Sequence, residues 1–179
     1  MFLHGVCGHG MGYLQSFQVA AADFGAAVAP HGDLPCGDGE YRTWSKDTAA
    51  IEAQITQSLG AAGVPADARG VTLIGYSLGA TRALALARAH PERYGSLVLI
   101  AAPFGPTPAK LGHLRGAAMM AGARDQQKHM KDAVGSFARA GIPSTFFDLP
   151  AAGHGEMGPE AERVMHEVLQ WVASRPARP

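Results

Sequence analysis

Short apolar runs alternate along the chain with longer stretches that carry apolar residues at helical spacing. The short runs predict strands, and because their apolar residues are continuous they are typical of strands buried on both faces of a parallel sheet. The longer stretches predict helices that cover this sheet. We expect six strands, over residues 2–3, 26–30, 71–74, 96–101, 114–121 and 144–149.

The helices follow from the same alternation. The clearest helix spans residues 48–59, because Ile51, Ile55 and Leu59 recur every four residues and Asp47 stands at the position of a helix N-cap. We expect the remaining helices over residues 13–24, 80–89, 126–141 and 159–173.

Two further segments complete the prediction. Residues 31–44 are rich in Gly and Asp, which predicts a long loop without regular structure. Residues 114–121 are rich in Ala and Met, which favour helices, but their place after a proline-rich link suits a strand. The alternation predicts an α/β fold, a three-layer α/β/α sandwich with a mostly parallel sheet of about six strands. We expect residues 1–179 to form a single domain.

Composition and charge exclude several classes of function. Fifteen Lys and Arg balance fifteen Asp and Glu, so no net charge attracts nucleic acid or an anionic membrane. No apolar run reaches the roughly 18 residues of a membrane span, and the N-terminus lacks the basic and apolar regions of a signal peptide. We expect no nucleic-acid partner, no membrane span and a cytoplasmic location by default, with secretion open if residues precede Met1. The oligomeric state stays open.

The pentapeptide GYSLG, residues 75–79, has the G-x-S-x-G pattern of a nucleophile elbow. It lies directly after a predicted strand and directly before a predicted helix, which is the context that this motif requires. A sharp turn there strains the backbone at Ser77, and a side chain two residues before or after it would collide with the neighbouring strand or helix. The sequence therefore predicts Ser77 as a nucleophile.

A nucleophilic serine needs a histidine base and usually a carboxylate that orients this base. Among the eight histidines, His154 lies in a glycine-flanked loop after the last strand, where an imidazole can reach over the sheet edge. His9 and His31 lie in loops on the same expected face, where either is a substrate contact or a structural residue. Asp125 closes the fifth predicted strand, and we favour it as the acid over Asp148, which lies within the sixth.

The chain resembles the α/β-hydrolase family over nearly its whole length. The matching segments are FLHG at 2–5, GYSLGA at 75–80, LVLIAAP at 97–103, GARD at 122–125 and GHG at 153–155. The chain order Ser77, Asp125, His154 is also that of the family's catalytic triad. The resemblance therefore implies that these three residues are catalytic.

The resemblance also implies an oxyanion hole made by two backbone N–H groups. In this sequence the resemblance assigns these N–H groups to Leu78 and Val6, with Cys7 in place of Val6 if the loop is shifted by one residue. The chain departs from the family in that only about two strand residues precede His4, and the segment between Pro103 and Leu114 is too short for a cap domain. We expect a core without the usual first strands or a cap, and an open active site.

The resemblance implies a small carboxylesterase that cleaves a small-molecule ester through an acyl-enzyme intermediate. No metal or cofactor is implied. The alternatives are an amidase, peptidase or thioesterase with the same triad, or a non-catalytic hydrolase-like binding protein. Cys7 and Cys36 follow neighbouring strands in the family's strand order, so they form either a disulfide or two free thiols. The aromatic candidates for substrate binding are Tyr41, Trp44, Tyr76 and Phe104.

Overall fold

A parallel sheet between two layers of helices forms the centre of the computed structural model, which describes residues 1–65 and 67–177. The elements in chain order are β1 (Phe2–Leu3), α1 (Gly10–Leu14), α2 (Gln18–Ala22), β2 (Leu34–Pro35), β3 (Arg42–Thr43), α3 (Thr48–Ala61), β4 (Val71–Tyr76), α4 (Leu78–Ala89), β5 (Tyr94–Ile100), β6 (Gly116–Gly122), α5 (Lys128–Arg139), β7 (Ser144–Leu149) and α6 (Ala161–Ala173).

The main sheet has the strand order β1-β4-β5-β6-β7, and each neighbouring pair is parallel. The central strand β5 shows why apolar and polar residues do not alternate within the apolar runs. Leu97 and Leu99 pack on one face, Val98 and Ile100 pack on the other, and all four side chains are fully buried. Burial on both faces requires helices on both sides of the sheet.

The helices supply these two layers. Helices α3, α4 and α5 cover one face of the sheet, while α1, α2 and α6 cover the other. In α3, Ile51, Ile55 and Leu59 are buried as predicted, and the Asp47 carboxylate caps the helix by accepting hydrogen bonds from two backbone N–H groups. The predicted α/β class and mostly parallel sheet are thus confirmed.

Three details of the prediction are wrong. Residues 26–30 form no strand, so the main sheet has five strands within the described part of the chain. Strand β1 is only two residues long, and the Phe2 N–H donates a 2.8 Å hydrogen bond to the Val28 carbonyl in this segment. Residues 13–24 do not form one helix, because Phe17 packs against Phe2 with non-helical dihedrals and separates α1 from α2. Residues 31–44 contain the antiparallel pair β2–β3.

No helix among the described residues has the length and apolar character needed to cross a membrane. Within the same residues, the link between β5 and β6 contains neither helix nor strand. The carboxyl ends of the central strands are therefore not covered by a cap domain in the described part of the chain.

His4, at the end of β1, is a buried hydrogen-bonding residue. Its Nδ1–H donates to the Gly5 carbonyl over 2.7 Å, and its Nε2 accepts the Gly32 N–H over 3.2 Å. The Trp44 ring packs against the imidazole, and the Trp44 indole N–H donates to the His4 carbonyl over 2.8 Å. Burial lowers the pKa of His4 below its usual value. The structure therefore holds His4 in its neutral form.

Replacement of His4 by Gln is expected to reduce the pH dependence of stability. A folded-state pKa below the unfolded value of about 6.5 means that the unfolded chain binds more protons, so the contribution of His4 is full above that pH and falls below it. We expect the thermal midpoint of the native protein to drop more between about pH 7 and pH 5 than that of His4→Gln, measured by circular dichroism. Equal slopes would contradict this assignment.

Candidate active site

Ser77 lies in the sharp turn between β4 and α4. Its backbone has φ 51° and ψ −113°, a conformation that side-chain-bearing residues rarely adopt. The Ser77 N–H donates to the Ile100 carbonyl over 2.8 Å, which ties this turn to the end of β5. The turn places the serine hydroxyl at the carboxyl edge of the sheet.

The two glycines of the elbow allow this turn. A Cβ atom on Gly75 would collide with backbone atoms of Gly79 and Ala80, and one on Gly79 would collide with the carbonyl oxygens of Leu3 and His4. The steric argument made from the sequence is thus correct, and the colliding atoms are main-chain atoms that cannot rotate away.

The structure brings Ser77, His154 and Asp125 into one hydrogen-bonded line. Ser77 Oγ lies 3.1 Å from His154 Nε2, and His154 Nδ1 lies 2.8 Å from Asp125 Oδ2. If the Nδ1–H donates to the carboxylate, Nε2 is left to accept the serine proton. Asp148, the rival acid, instead accepts a hydrogen bond from the Gln127 side chain.

The turn that carries His154 is fixed by contacts on both sides. The Tyr76 hydroxyl accepts the Gly155 N–H over 2.7 Å and donates to the Glu156 carbonyl over 3.5 Å. The Glu156 carboxylate accepts the Gly153 N–H over 2.7 Å and a bond from Arg124 over 2.8 Å. These two contacts lower the pKa of Glu156. Because Arg124 directly precedes Asp125, one hydrogen-bonded network joins the loop of Asp125 to the loop of His154.

Tyr76 is a buried residue in contact with the loop of His154. It is 2% exposed, it stacks on Tyr13 with ring centroids 4.9 Å apart, and burial raises its pKa to about 12. A neutral phenol can both donate and accept in the contacts above. The sequence did carry a signal for this role, since a buried tyrosine hydroxyl usually finds a hydrogen-bond partner.

The other aromatic candidates lie in different surroundings. Trp44 is 3% exposed and belongs to the core beside His4, so packing accounts for it. Tyr41 is exposed and lies in the connection between β2 and β3. Phe104 is 78% exposed and directly follows Pro103, which lines a cleft beside His154.

A cleft of about 350 Å³ adjoins His154. His129 also lines this cleft, and its Nε2–H donates to the Ala102 carbonyl over 2.6 Å. Among the described residues, no group of three or more His, Cys, Asp or Glu is placed to hold a metal ion. The cleft is lined by Ala101, Ala102, Pro103, Asp125, Gln126, His129 and His154.

A second cavity, of about 410 Å³, lies at the amino ends of the strands, where Met1, Thr72 and Arg115 contribute to its walls. Ile74 of β4 also lines this cavity, whereas Ser77, Asp125 and His154 are not among its lining residues. The larger cavity is therefore distinct from the site that contains the serine, histidine and carboxylate.

The loop after β1 runs beside the serine. A Cβ atom on Gly5 would lie 3.6 Å from Ser77 Cβ, and Val6, the next residue, is 62% exposed. Leu78 begins α4, where the first backbone N–H groups have no acceptor within the helix. Both predicted oxyanion donors thus belong to segments that adjoin Ser77. His9 and His31 pack against each other with ring centroids 4.9 Å apart.

The same loop is linked to the β2–β3 pair. Cys7 and Cys36 are joined in a disulfide, which decides between the two alternatives left open by the sequence. Gly8 and Arg42 exchange two backbone hydrogen bonds of 3.0 and 3.2 Å. The β2–β3 pair, predicted as an irregular loop, therefore braces the segment beside the serine.

Solved structures with the same architecture include hydrolases. Esterase PE8 is 19% identical, with a TM-score of 0.65 over 96% of this chain and 90% of that one. The Bacillus cereus carboxylesterase is 16% identical, with a TM-score of 0.68 over 98% and 87% of the two chains. Fluorophosphonate-binding serine hydrolase F of Staphylococcus aureus is 12% identical, with a TM-score of 0.61 over 97% and 82%. At these identities the likeness shows a shared fold.

Family membership follows from the sequence comparison. The profile of the Esterase family matches residues 35–146, which is more than half of the chain. A sequence search of curated proteins finds no significant match. The chain therefore belongs to the Esterase family, and at this general level it is an enzyme that hydrolyses esters.

Proposed function

We propose that the protein is a serine hydrolase that cleaves carboxylic esters through an acyl-enzyme. Ser77 is the nucleophile, His154 is the general base and acid, and Asp125 orients His154. The observation that carries this proposal is the continuous line of hydrogen bonds from Ser77 Oγ to the Asp125 carboxylate, with lengths of 3.1 and 2.8 Å. A serine hydroxyl is a weak nucleophile without such a base.

The geometry supports a two-step reaction. Ser77 Oγ attacks the ester carbonyl carbon while its proton passes to His154 Nε2, and the Asp125 carboxylate stabilises the resulting imidazolium. His154 then protonates the leaving alkoxide, which departs as the alcohol and leaves the acyl group on Ser77. In the second step His154 takes a proton from water, the hydroxide attacks the acyl-enzyme, and the carboxylic acid leaves as Ser77 regains its proton.

Negative charge on the former carbonyl oxygen needs donors that are already in place. We assign the Leu78 N–H, at the positive end of the α4 dipole, and the Val6 N–H, in the loop beside Ser77. Removal of one such donor typically costs about 10²- to 10³-fold in kcat. The Cys7 N–H is the alternative to that of Val6.

The cleft favours a small ester as the substrate. Ala101, Ala102 and Pro103 form an apolar part of its wall, and no cap covers it within the described residues. We assign Phe104, and Tyr41 from the β2–β3 connection, as outer contacts of the substrate. A non-catalytic binding protein would not need the serine, imidazole and carboxylate in line, so the hydrogen bonds above count against that alternative.

Covalent labelling with a fluorophosphonate probe tests the nucleophile. We expect the native protein to gain the mass of one phosphonyl group and Ser77→Ala to gain none, because the probe reacts with an activated serine. Ser136→Ala, which changes an exposed serine on α5, is the matched control and should label like the native protein. Equal labelling of Ser77→Ala would refute the proposal.

The choice of acid can be tested with two matched substitutions. We expect Asp125→Asn to lower kcat by about 10²- to 10⁴-fold, because the amide no longer stabilises the imidazolium or fixes its tautomer. Asp148→Asn should change kcat less than about twofold, since Asp148 contacts Gln127 and not His154. Initial rates with p-nitrophenyl acetate measure both. The reverse pattern would transfer the acid role to Asp148.

Tyr76→Phe is expected to lower kcat by about five- to tenfold without loss of fold. The change removes one buried hydroxyl that holds the turn with His154, a loss of about 1 kcal/mol. Tyr13→Phe is the control, because among the described residues the Tyr13 hydroxyl makes one long hydrogen bond, of 3.4 Å, to the Gly155 carbonyl. Rates of the two variants that are indistinguishable from each other would exclude a positioning role for Tyr76.

A further inference from the structure

The proposed oxyanion donor Val6 lies in a turn of unusual backbone conformation. Cys7, the next residue, has φ 47°, in the left-handed region that side-chain-bearing residues rarely occupy. Among the described residues no acceptor takes the Val6 N–H, so this group is free to bind a developing oxyanion. A free donor on a strained turn must be held in place by its neighbours.

Hydrogen bonds hold the two ends of this turn. On one side His4 is buried and accepts the Gly32 N–H over 3.2 Å. On the other side Gly8 exchanges two backbone hydrogen bonds with Arg42, whose Nε–H also donates to the Gly32 carbonyl over 3.0 Å. Gly5, Val6 and Cys7 lie between these ends, and Val6 and Cys7 form the centre of the turn.

The disulfide is attached at that centre. Cys7 is bonded to Cys36, which lies 29 positions along the chain between β2 and β3. The Cys36 N–H donates to the Tyr41 carbonyl over 3.1 Å, so the far end of the disulfide is anchored in the β2–β3 pair. The covalent bond therefore connects the residue next to the proposed donor with the element that braces the loop.

We infer that the Cys7–Cys36 disulfide is a positioning element of the oxyanion hole, and that its reduction reversibly lowers turnover. This inference rests on the proposed function. Oxyanion donors are effective because they are fixed before charge develops, and a donor that moves must be reordered in each turnover. Cleavage of the disulfide leaves the centre of the turn without its covalent constraint while both ends stay hydrogen-bonded.

The redox step needs a dithiol as the reductant. A thiolate of the dithiol attacks one sulfur of the disulfide and forms a mixed disulfide, and its second thiolate releases the protein as two thiols. The dithiol loses two electrons and becomes a cyclic disulfide, and Cys7 and Cys36 gain two electrons and two protons. Oxidised glutathione reverses the reaction and is itself reduced to two molecules of glutathione.

The expected kinetic effect is specific to a transition-state donor. A loosened donor weakens binding of the tetrahedral intermediate and not of the substrate, so kcat falls while KM stays nearly constant. We expect kcat to fall by about fivefold to a hundredfold. Complete removal of one oxyanion donor typically lowers kcat by about a hundredfold or more, so a loosened donor should cost no more than that. Ser77, His154 and Asp125 lie outside the turn, so the midpoint of the pH–rate profile should not move.

The test compares the oxidised native protein with the same protein after treatment with dithiothreitol. Thiol titration should count no free thiols before and two after reduction, since the chain has two cysteines. Rates with p-nitrophenyl acetate across pH give kcat, KM and the profile midpoint, and circular dichroism at the assay temperature checks the fold. Reoxidation with glutathione disulfide should restore kcat. The double variant Cys7→Ala/Cys36→Ala should have the rate of the reduced protein and ignore dithiothreitol.

A control for general stability is Ile55→Val, which shortens a fully buried side chain of α3 and should leave kcat unchanged. The inference is overturned if the native protein has two free thiols as purified, if full reduction leaves kcat unchanged, if the profile midpoint moves with kcat, or if reduction unfolds the chain. Failure of the proposed function is a separate result: the oxidised protein would then show no Ser77-dependent fluorophosphonate labelling.

Discussion

The close approach of the α4 N-terminus to the end of β1 is the contact on which the site depends. Gly79 lies against the carbonyl oxygens of Leu3 and His4, with no room for a Cβ atom. This contact sets the distance between the segment that carries Ser77 and the loop that carries Val6. Because both contacting groups are main chain, the spacing is rigid, and rigidity is what an electrostatic site requires before reaction.

The remaining site residues reach the same edge because the strands are parallel. Strands β4, β5, β6 and β7 all end at their carboxyl side near Ser77, so the loops that follow them converge there. Asp125 follows β6 and His154 follows β7, and the Tyr76 hydroxyl at the end of β4 accepts a hydrogen bond from the Gly155 N–H, next to His154. The sheet thus fixes where the loops lie, and the loops carry the polar side chains of the site.

Local patterns predicted the parts of the fold that depend on local rules. The apolar runs predicted β5 and β7, and the place of residues 114–121 after a proline-rich link predicted β6. The four-residue spacing with an N-cap predicted α3, and the glycines of the elbow predicted the strained turn at Ser77. Residues 26–30 have the composition of a strand, but they lie beside β1, which is only two residues long. The length of the neighbouring strand is a property of the tertiary structure and cannot be read from the composition of residues 26–30. The β2–β3 pair likewise depends on contacts with the distant segment at Gly8.

At the site, the sequence indicated which groups meet but not how they are supported. The chain order of Ser77, Asp125 and His154 is a motif, and the structure brings these three together. The support from Tyr76 and Glu156 depends on a loop returning to β4 from 80 positions away in the chain. Trp44 shows the limit of the sequence for single aromatic residues. In a polar segment, the sequence does not distinguish an aromatic residue that contacts substrate from one that packs against a buried histidine, as Trp44 does against His4.

Asp148 has a consequence that is unrelated to catalysis. It lies in β7, the last strand of the sheet, whose outer backbone groups face no further strand of the main sheet in the described chain. An exposed charged side chain on an edge strand is one of the features that oppose pairing with a strand of another molecule. The residue that competes with Asp125 in the sequence thus places a negative charge on the last strand of the sheet.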